Sequence, residues 1–249
     1  HLPQKFFETI PNQNFAINVP VEILSLFHPT YTTLGDVVKI GTGISTGNDR
    51  YFLRAASEVA DKDEWIPFYK NGGVKDAWYY PPKYYIHEDW PLQKEKHSTF
   101  TTRNPSYFYR EGITCSSMGV EFSAAYLPRG SLFGVNANLF PDKQEDLYYF
   151  LGLLNSQLVK YVLRKLLNRT NMITAGYIKK LPYIDPSPEN KKVVIEYSRQ
   201  FVKEKMSNSC FYSLEEKHEL DRIIYDIYGI SHKTRMHVED FCNDLFEKL

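Results

Sequence analysis

The feature that most restricts what this chain can fold into is a change of hydrophobic rhythm at Pro141. From about Leu34 to Phe140 the apolar residues come in short aromatic or β-branched runs: VVKI, YFLR, WIPFY, YYIH, SYFYR, FSAAYL and SLFGV. Between them lie GTGISTGND, KNGG, PPK, REG and PRG, whose glycine, proline and asparagine content favours turns. One longer connection, about Glu88 to Asn104, is polar and reads as an exposed loop or insertion. Beyond Pro141 the spacing becomes helical. Leu147, Leu151, Leu154, Leu158 and Val162 recur every three or four residues, and Asp142 with Glu145 has the form of a capping pair. Ser187-Pro188, Ser213 with Glu216, and Ser231 mark later helix starts, and Gly229 a stop. These signals predict an α+β fold. A β-rich, mostly antiparallel body over about residues 35–140 precedes a helical C-terminal part, with helices over 142–168, 188–206, 214–228 and 232–247.

Composition narrows the function classes. The 249 residues hold 30 Lys+Arg and 30 Asp+Glu, so the chain is neither strongly basic nor strongly acidic. The balance hides a segregation: residues 1–150 carry a net −3, residues 151–205 a net +7, and residues 206–249 a net −4. The middle segment suits a polyanion, although solvated helix faces give similar runs. No apolar run reaches the roughly 18 residues that cross a bilayer, and the opening HLPQKFFETIPNQ lacks a signal-peptide core. Cys115, Cys210 and Cys242 form no CxxC pair, so neither a zinc site nor a disulfide framework is expected, which fits a reducing cytoplasm. The 19 Tyr and 16 Phe are unusually many. They imply either a β-rich core, the commoner use of aromatics, or a surface that stacks on bases.

Partial catalytic motifs do not assemble into a site. Gly41, Gly43 and Gly47 in GTGISTG follow a predicted strand but miss the G-x-G-x-x-G spacing, and RYFLR after them reads as a further strand, so a glycine-rich turn is expected. Asn104-Pro105-Ser106-Tyr107 approaches the N-P-P-Y motif of adenine-N6 methyltransferases, in which an amide and a carbonyl hold the target amino group and the ring stacks on the flipped base. The second proline is missing and no cofactor-binding βα unit precedes it, so this too reads as a turn. Pro141-Asp142 with Glu215-Glu216-Lys217, a nuclease-like scatter, falls on helix starts. His237 and Glu239 lack the cysteine pair of a zinc deaminase. No catalytic residue, metal or cofactor is expected in this chain.

The long-range pattern is more specific. FAINVPVEILSLF, LGDVVKIGTGISTGNDRYFLR, WIPFYKNGGVKDAWYY, YFYREGITCSSMGVEFSAAYLPRGSLFGVNANLFP, LYYFLGLLNSQLVKYVL, IKKLPYIDP and LDRIIYDIYGI follow one another in this order. The succession resembles the C-terminal region of large bacterial adenine-specific DNA methyltransferases, among them type IIG restriction–modification enzymes and the methyltransferases of BREX phage-exclusion systems. In that family this region is a target-recognition domain related to type I specificity subunits. The resemblance implies a module that binds double-stranded DNA and works with a methyltransferase or endonuclease catalytic domain, in cis or in trans. The S-adenosylmethionine site and the N-P-P-Y motif would lie on that domain, so this chain is expected to be a fragment or separated specificity module without activity of its own. Residues 1–185 would form the target-recognition domain and 186–249 a helical region. A protein-interaction module, or a divergent small methyltransferase using Asn104 to Tyr107, are the other readings.

Within that resemblance, phosphate grip needs cations, hydroxyls and free N–H groups, and base reading needs polar side chains beside a groove. Thr46, Asn48 and Arg50 in one loop and Lys70, Asn71 and Lys75 in another supply the first, although Asn48 can equally serve a turn. Ser116, Ser117, Glu121 and Ser123 supply the second, if a strand through FSAAYL turns Glu121, Ser123 and Ala125 to one open face. Lys160 and Arg164, on the predicted basic helix, and Arg110 and Arg129 complete the expected DNA contacts.

Overall fold

The computed structural model describes residues 18–59, 63–72, 76–119, 121–168, 170–207 and 213–246. Among the described residues, ten short strands make up the β-rich part: β1 (Lys39–Gly41), β2 (Ile44–Ser45), β3 (Leu53–Ala55), β4 (Trp65–Tyr69), β5 (Tyr84–His87), β6 (Thr101–Thr102), β7 (Gly112–Cys115), β8 (Ala124–Leu127), β9 (Leu132–Phe133) and β10 (Asn138–Phe140). They build one four-stranded sheet in the order β1-β10-β7-β8, a second in the order β3-β5-β4-β9, and a β2-β6 ribbon. All pairings among them are antiparallel except β4 with β9. The expected α+β fold with a mostly antiparallel body is present.

The first sheet is buried on both faces, which follows from alternation along its strands. Ile113, Cys115, Ala124 and Leu139 point into a core shared with the helices. Ala125, Leu127 and Phe140 point the other way, against Phe68, Ile86, Leu132 and Phe133 of the second sheet. Aromatic rings fill that layer: Phe133 and Phe140 have ring centroids 5.0 Å apart, and Trp90 stacks on Phe100 at 5.8 Å. Much of the aromatic surplus is thus core, with Tyr31, Tyr51, Tyr84 and Tyr109 among the exceptions left exposed.

The helical part packs on the first sheet. Helices α1 (Val21–Ser25) and α2 (Leu34–Val37) precede the first strand, and α3 (Asp49–Phe52) and α4 (Trp90–Lys94) lie between strands; all four are short. Helices α5 (Asp146–Asn155), α6 (Gln157–Val162), α7 (Ala175–Lys179), α8 (Pro188–Met206), α9 (Leu214–Ile227) and α10 (His232–Phe246) form the C-terminal layer. Ser187 caps α8 by accepting from the Asn190 N–H, and Ser213 with Glu216 forms the expected capping box on α9. One hydrophobic cluster runs from Ile23 in α1 through the first sheet to Val238 in α10.

Four expectations are corrected. The helix over 142–168 is interrupted at Ser156, which is extended (ψ 151°) and restarts the helix as the cap of α6, and residues Leu163–Leu167 close as a π turn. Asp142 precedes the helix and Glu145, at its N-cap position, makes no side-chain cap bond; Asp146 begins α5 and pairs with Lys191 of α8 at 2.6 Å. The polar connection 88–104 is not an open loop, because Trp90 and Phe100 anchor it in the core and Thr101–Thr102 pairs with β2. SYFYR forms a 3₁₀ turn, and RYFLR begins as α3 and becomes strand only at Leu53.

Candidate functional site

Strand ends and loops converge on one side of the second sheet because glycines let backbones touch. A Cβ at Gly72 would lie 2.0 Å from the Cys115 carbonyl oxygen, and one at Gly43 2.1 Å from the Phe133 oxygen. Backbone bonds continue the seam, Gly43 N–H to Gly134 O at 2.7 Å and Gly134 N–H to Tyr69 O at 2.9 Å. The glycines of GTGISTG and KNGG therefore serve close approach of loops, a role any side chain would block.

The result is two adjoining hollows of about 290 Å³ each. Lys70 and Asn71 line both. The first is completed by Lys83, Tyr84, Ser116, Ser117 and Met118, the second by Thr46, Asp49 and Val135. Expected contacts from three separate segments, Thr46, Lys70 with Asn71, and Ser116 with Ser117, thus line neighbouring hollows, but of these only Asn71 is exposed and Lys70 and Ser117 half-buried. Ser116 is corrected: it is buried, with its hydroxyl accepting from the Ser123 N–H at 3.0 Å. Lys83, Tyr84 and Met118 were not anticipated. Their only sequence signal is position: the first two follow the Pro81-Pro82 turn and the third sits between the serines and Gly119.

Charge in this surface is held in place. The Lys70 Nζ lies 2.5 Å from the Asp49 carboxylate and 5.6 Å from the Tyr84 ring centroid. The hydrogen bond to Asp49 holds the Lys70 ammonium above its ordinary range. Burial pushes the Asp49 carboxyl up, but Lys70 and the Thr46 hydroxyl, which donates to it at 2.5 Å, bring it below the usual range. Thr46 is buried and spent on that bond, and the Asn48 side-chain oxygen caps α3 by accepting from Tyr51 N–H at 3.2 Å. Asn71 is exposed, with its carbonyl fixed by the Tyr80 hydroxyl at 2.8 Å. Arg50 is exposed beside this loop, and Lys75 lies outside the described residues.

The expected base-reading face does not form. Ala125 packs against the second sheet and Ser123 is 2% exposed, paired through its backbone with Ser116. Glu121 turns inward to Lys160 at 2.7 Å, with side-chain exposures of 11% and 5%. The second sheet covers Ala125 while Lys160 of α6 draws Glu121 inward, and alternation alone could reveal neither. The basic helix is corrected with it. Lys160 is buried in that pair, Lys165 covers the Phe241 ring at 4.6 Å, and half-buried Arg164 donates to the Asn171 side chain. Arg110 and Arg129 meet elsewhere, in a hollow of about 270 Å³ with Glu111 and Asp142.

The N-P-S-Y segment is a turn, as expected. Asn104 is left-handed (φ 51°), its amide donates to Thr42 O at 2.9 Å, and Tyr107 stacks on Phe140 at 4.7 Å. Among the described residues no group of three or more His, Cys, Asp or Glu is placed to hold a metal ion, and no helix is long and apolar enough to cross a membrane.

Residues 69–183 match the TaqI-like C-terminal specificity domain, and the resemblance drawn from the sequence is borne out. Two curated proteins are similar over most of the chain. The adenine-specific methyltransferase PglX of Lacticaseibacillus casei (strain Zhang) is 28% identical over 207 residues, covering 72% of this chain and 17% of that protein. The adenine-specific methyltransferase BrxX of Escherichia coli O9:H4 (strain HS) is 27% identical over 196 residues, covering 73% and 16%. The chain thus spans less than a fifth of the length of these curated relatives. Among solved structures, the type IIL restriction–modification enzyme MmeI, determined in complex with DNA, superposes with a TM-score of 0.60 at 13% identity, over 87% of this chain and 36% of that one. That likeness is one of fold.

Proposed function

We propose that this chain is the DNA-specificity module of an adenine-specific methyltransferase of the restriction–modification or phage-defence kind, and that it reads its target with the surface around Lys70, Asn71 and Ser117. The observation that carries this reading is the convergence of Lys70, Asn71 and Ser117, from segments far apart in the chain but all within the matched residues 69–183, on the first hollow, which the second adjoins. The division of labour follows from chemistry. Lys70, Lys83 and Arg50 supply the sequence-independent cationic grip, while Asn71 and Ser117 carry the donors and acceptors that distinguish base edges. Methyl transfer from S-adenosylmethionine, and any cleavage, would belong to a catalytic domain acting with this one.

Selection from a random duplex pool, using the chain joined to a matching methyltransferase domain, tests the reading. A defined motif should be enriched. Lys70→Ala should weaken binding to all duplexes alike and flatten the salt dependence by about one unit. Asn71→Ala or Ser117→Ala should change the enriched base at one position, a discrimination of about 1–3 kcal/mol. Absence of any enriched motif would refute it.

A further inference from the structure

At the rim of the first hollow the loop after β7 is zipped to a distant segment. Ile173 N–H donates to Ser117 O at 2.9 Å and Gly119 N–H to Asn171 O at 3.0 Å, with Met118 opposite Met172 in an antiparallel bridge. Because the bonds flank this pair rather than join it, Met118 and Met172 form a non-hydrogen-bonded pair. In such a pair the two side chains leave the same face of the ribbon at the closest cross-strand spacing. Both are exposed, Met118 by 65% and Met172 by 54%. Thr170 and Asn171 beside them are also exposed, and Ser117 precedes Met118. The ribbon thus ends in a narrow apolar tip within a polar surround, and Met118 lines the same hollow as Lys70, Lys83 and Asn71.

We propose that Met118 and Met172 together form a wedge that inserts between adjacent base pairs of the bound duplex. This rests on the DNA-binding reading of the same surface. Two side chains cover far less than the roughly 800 Å² per partner that a stable protein interface buries, so the tip is poorly suited to hold a protein domain. It suits a base step: unbranched, polarisable side chains fill the space between unstacked bases, and apolar wedges of this kind, methionine included, kink duplexes elsewhere. The cations beside it lie where the flanking phosphates would pass. The anchoring of the ribbon also fits. The Glu121–Lys160 pair, three residues beyond Met118, ties the loop to α6, so the tip is backed by the core.

The test uses the full chain with duplexes carrying 2-aminopurine at successive positions of its preferred sequence. One step should brighten on binding as its stacking is lost. Met118→Ala and Met172→Ala should each abolish the brightening and weaken binding about tenfold, roughly the transfer free energy of one buried methionine. Placing a mismatch at that step should restore most of the lost affinity, because the cost of unstacking is then already met; a methionine acting only in folding would show no such rescue. If the unmodified chain binds its sequence but no position brightens, or the variants bind and brighten unchanged, the wedge is refuted and the DNA-binding reading stands. If affinity falls equally on matched and mismatched duplexes, the tip is an ordinary contact and the wedge is refuted. If the unmodified chain binds no duplex even when joined to a methyltransferase domain, both fail together.

Discussion

Lys160→Met should expose how strongly the recognition loops depend on the helical layer. Lys160 and Glu121 lie 2.7 Å apart, and their side chains are 5% and 11% exposed. At an effective dielectric of about 20 their attraction is about 6 kcal/mol, which offsets a desolvation cost of several kcal/mol for each ion. Removing only the lysine leaves a carboxylate in a place it would not occupy alone. It also withdraws a positive charge that favours ionised Asp221 and Asp76. The expected loss is about 3–5 kcal/mol, large beside the roughly 5–15 kcal/mol that holds a typical domain together. Glu121→Gln alone should cost less, about 1–3 kcal/mol, because Lys160 keeps Asp221 as a nearby counter-charge and the amide can still accept a hydrogen bond. The Lys160→Met/Glu121→Leu double variant should lie well above the sum of its Lys160→Met and Glu121→Leu single variants, by about 2 kcal/mol. Urea unfolding of all the variants at pH 7 measures this, provided the dependence on denaturant stays constant across the set. Additivity within about 0.5 kcal/mol would show that the pair is not coupled, and the structural assignment of Glu121 would fall with it.

Other outcomes follow from single sites. Asp221 is buried, and burial pushes its carboxyl up to about 6, although it accepts from the Gln157 N–H at 2.7 Å. Its folded value lies above its unfolded one, so the folded state binds the extra proton and this group's contribution to stability falls as pH rises from about 4 through 6. Asp221→Asn keeps the Gln157 bond and should remove that fall, gaining up to about 3 kcal/mol at pH 7 relative to pH 4; unchanged pH dependence in paired denaturation curves would contradict it. Asn155 completes the edge of the first sheet, its amide accepting from Ala124 N–H and donating to Ala124 O, both at 2.9 Å. Asn155→Leu orphans both buried groups and should cost about 2–5 kcal/mol by urea unfolding, with a loss below 1 kcal/mol counting against it. Gly72→Ala should be among the most damaging substitutions of the β-rich part, because the new Cβ meets the Cys115 carbonyl at 2.0 Å, and a native-like melting temperature would show that the loop yields instead.

Local signals decided a good deal. Ser187-Pro188 and Ser213 with Glu216 place the starts of α8 and α9 because capping involves only groups within one turn. WIPFY and YYIH are strands where alternation and flanking turns require them, and the order of blocks along the chain carries the resemblance to specificity domains. Even the convergence of Lys70, Asn71, Ser116 and Ser117 was half legible, since each stood out as a loop polar residue. What sequence periodicity cannot carry is what covers a face. Glu121, Ser123 and Ala125 alternate as an open strand face would, yet a second sheet, assembled from residues 53–133, lies over Ala125, and Lys160, 39 positions away, claims Glu121. Met172 gave no local signal at all, because its partner is 54 residues distant and only the ribbon joins them. Local hydrogen bonding is written in neighbouring residues, whereas burial of a charge or exposure of a methionine is settled by which distant surface packs against it, and that is a property of the packed chain.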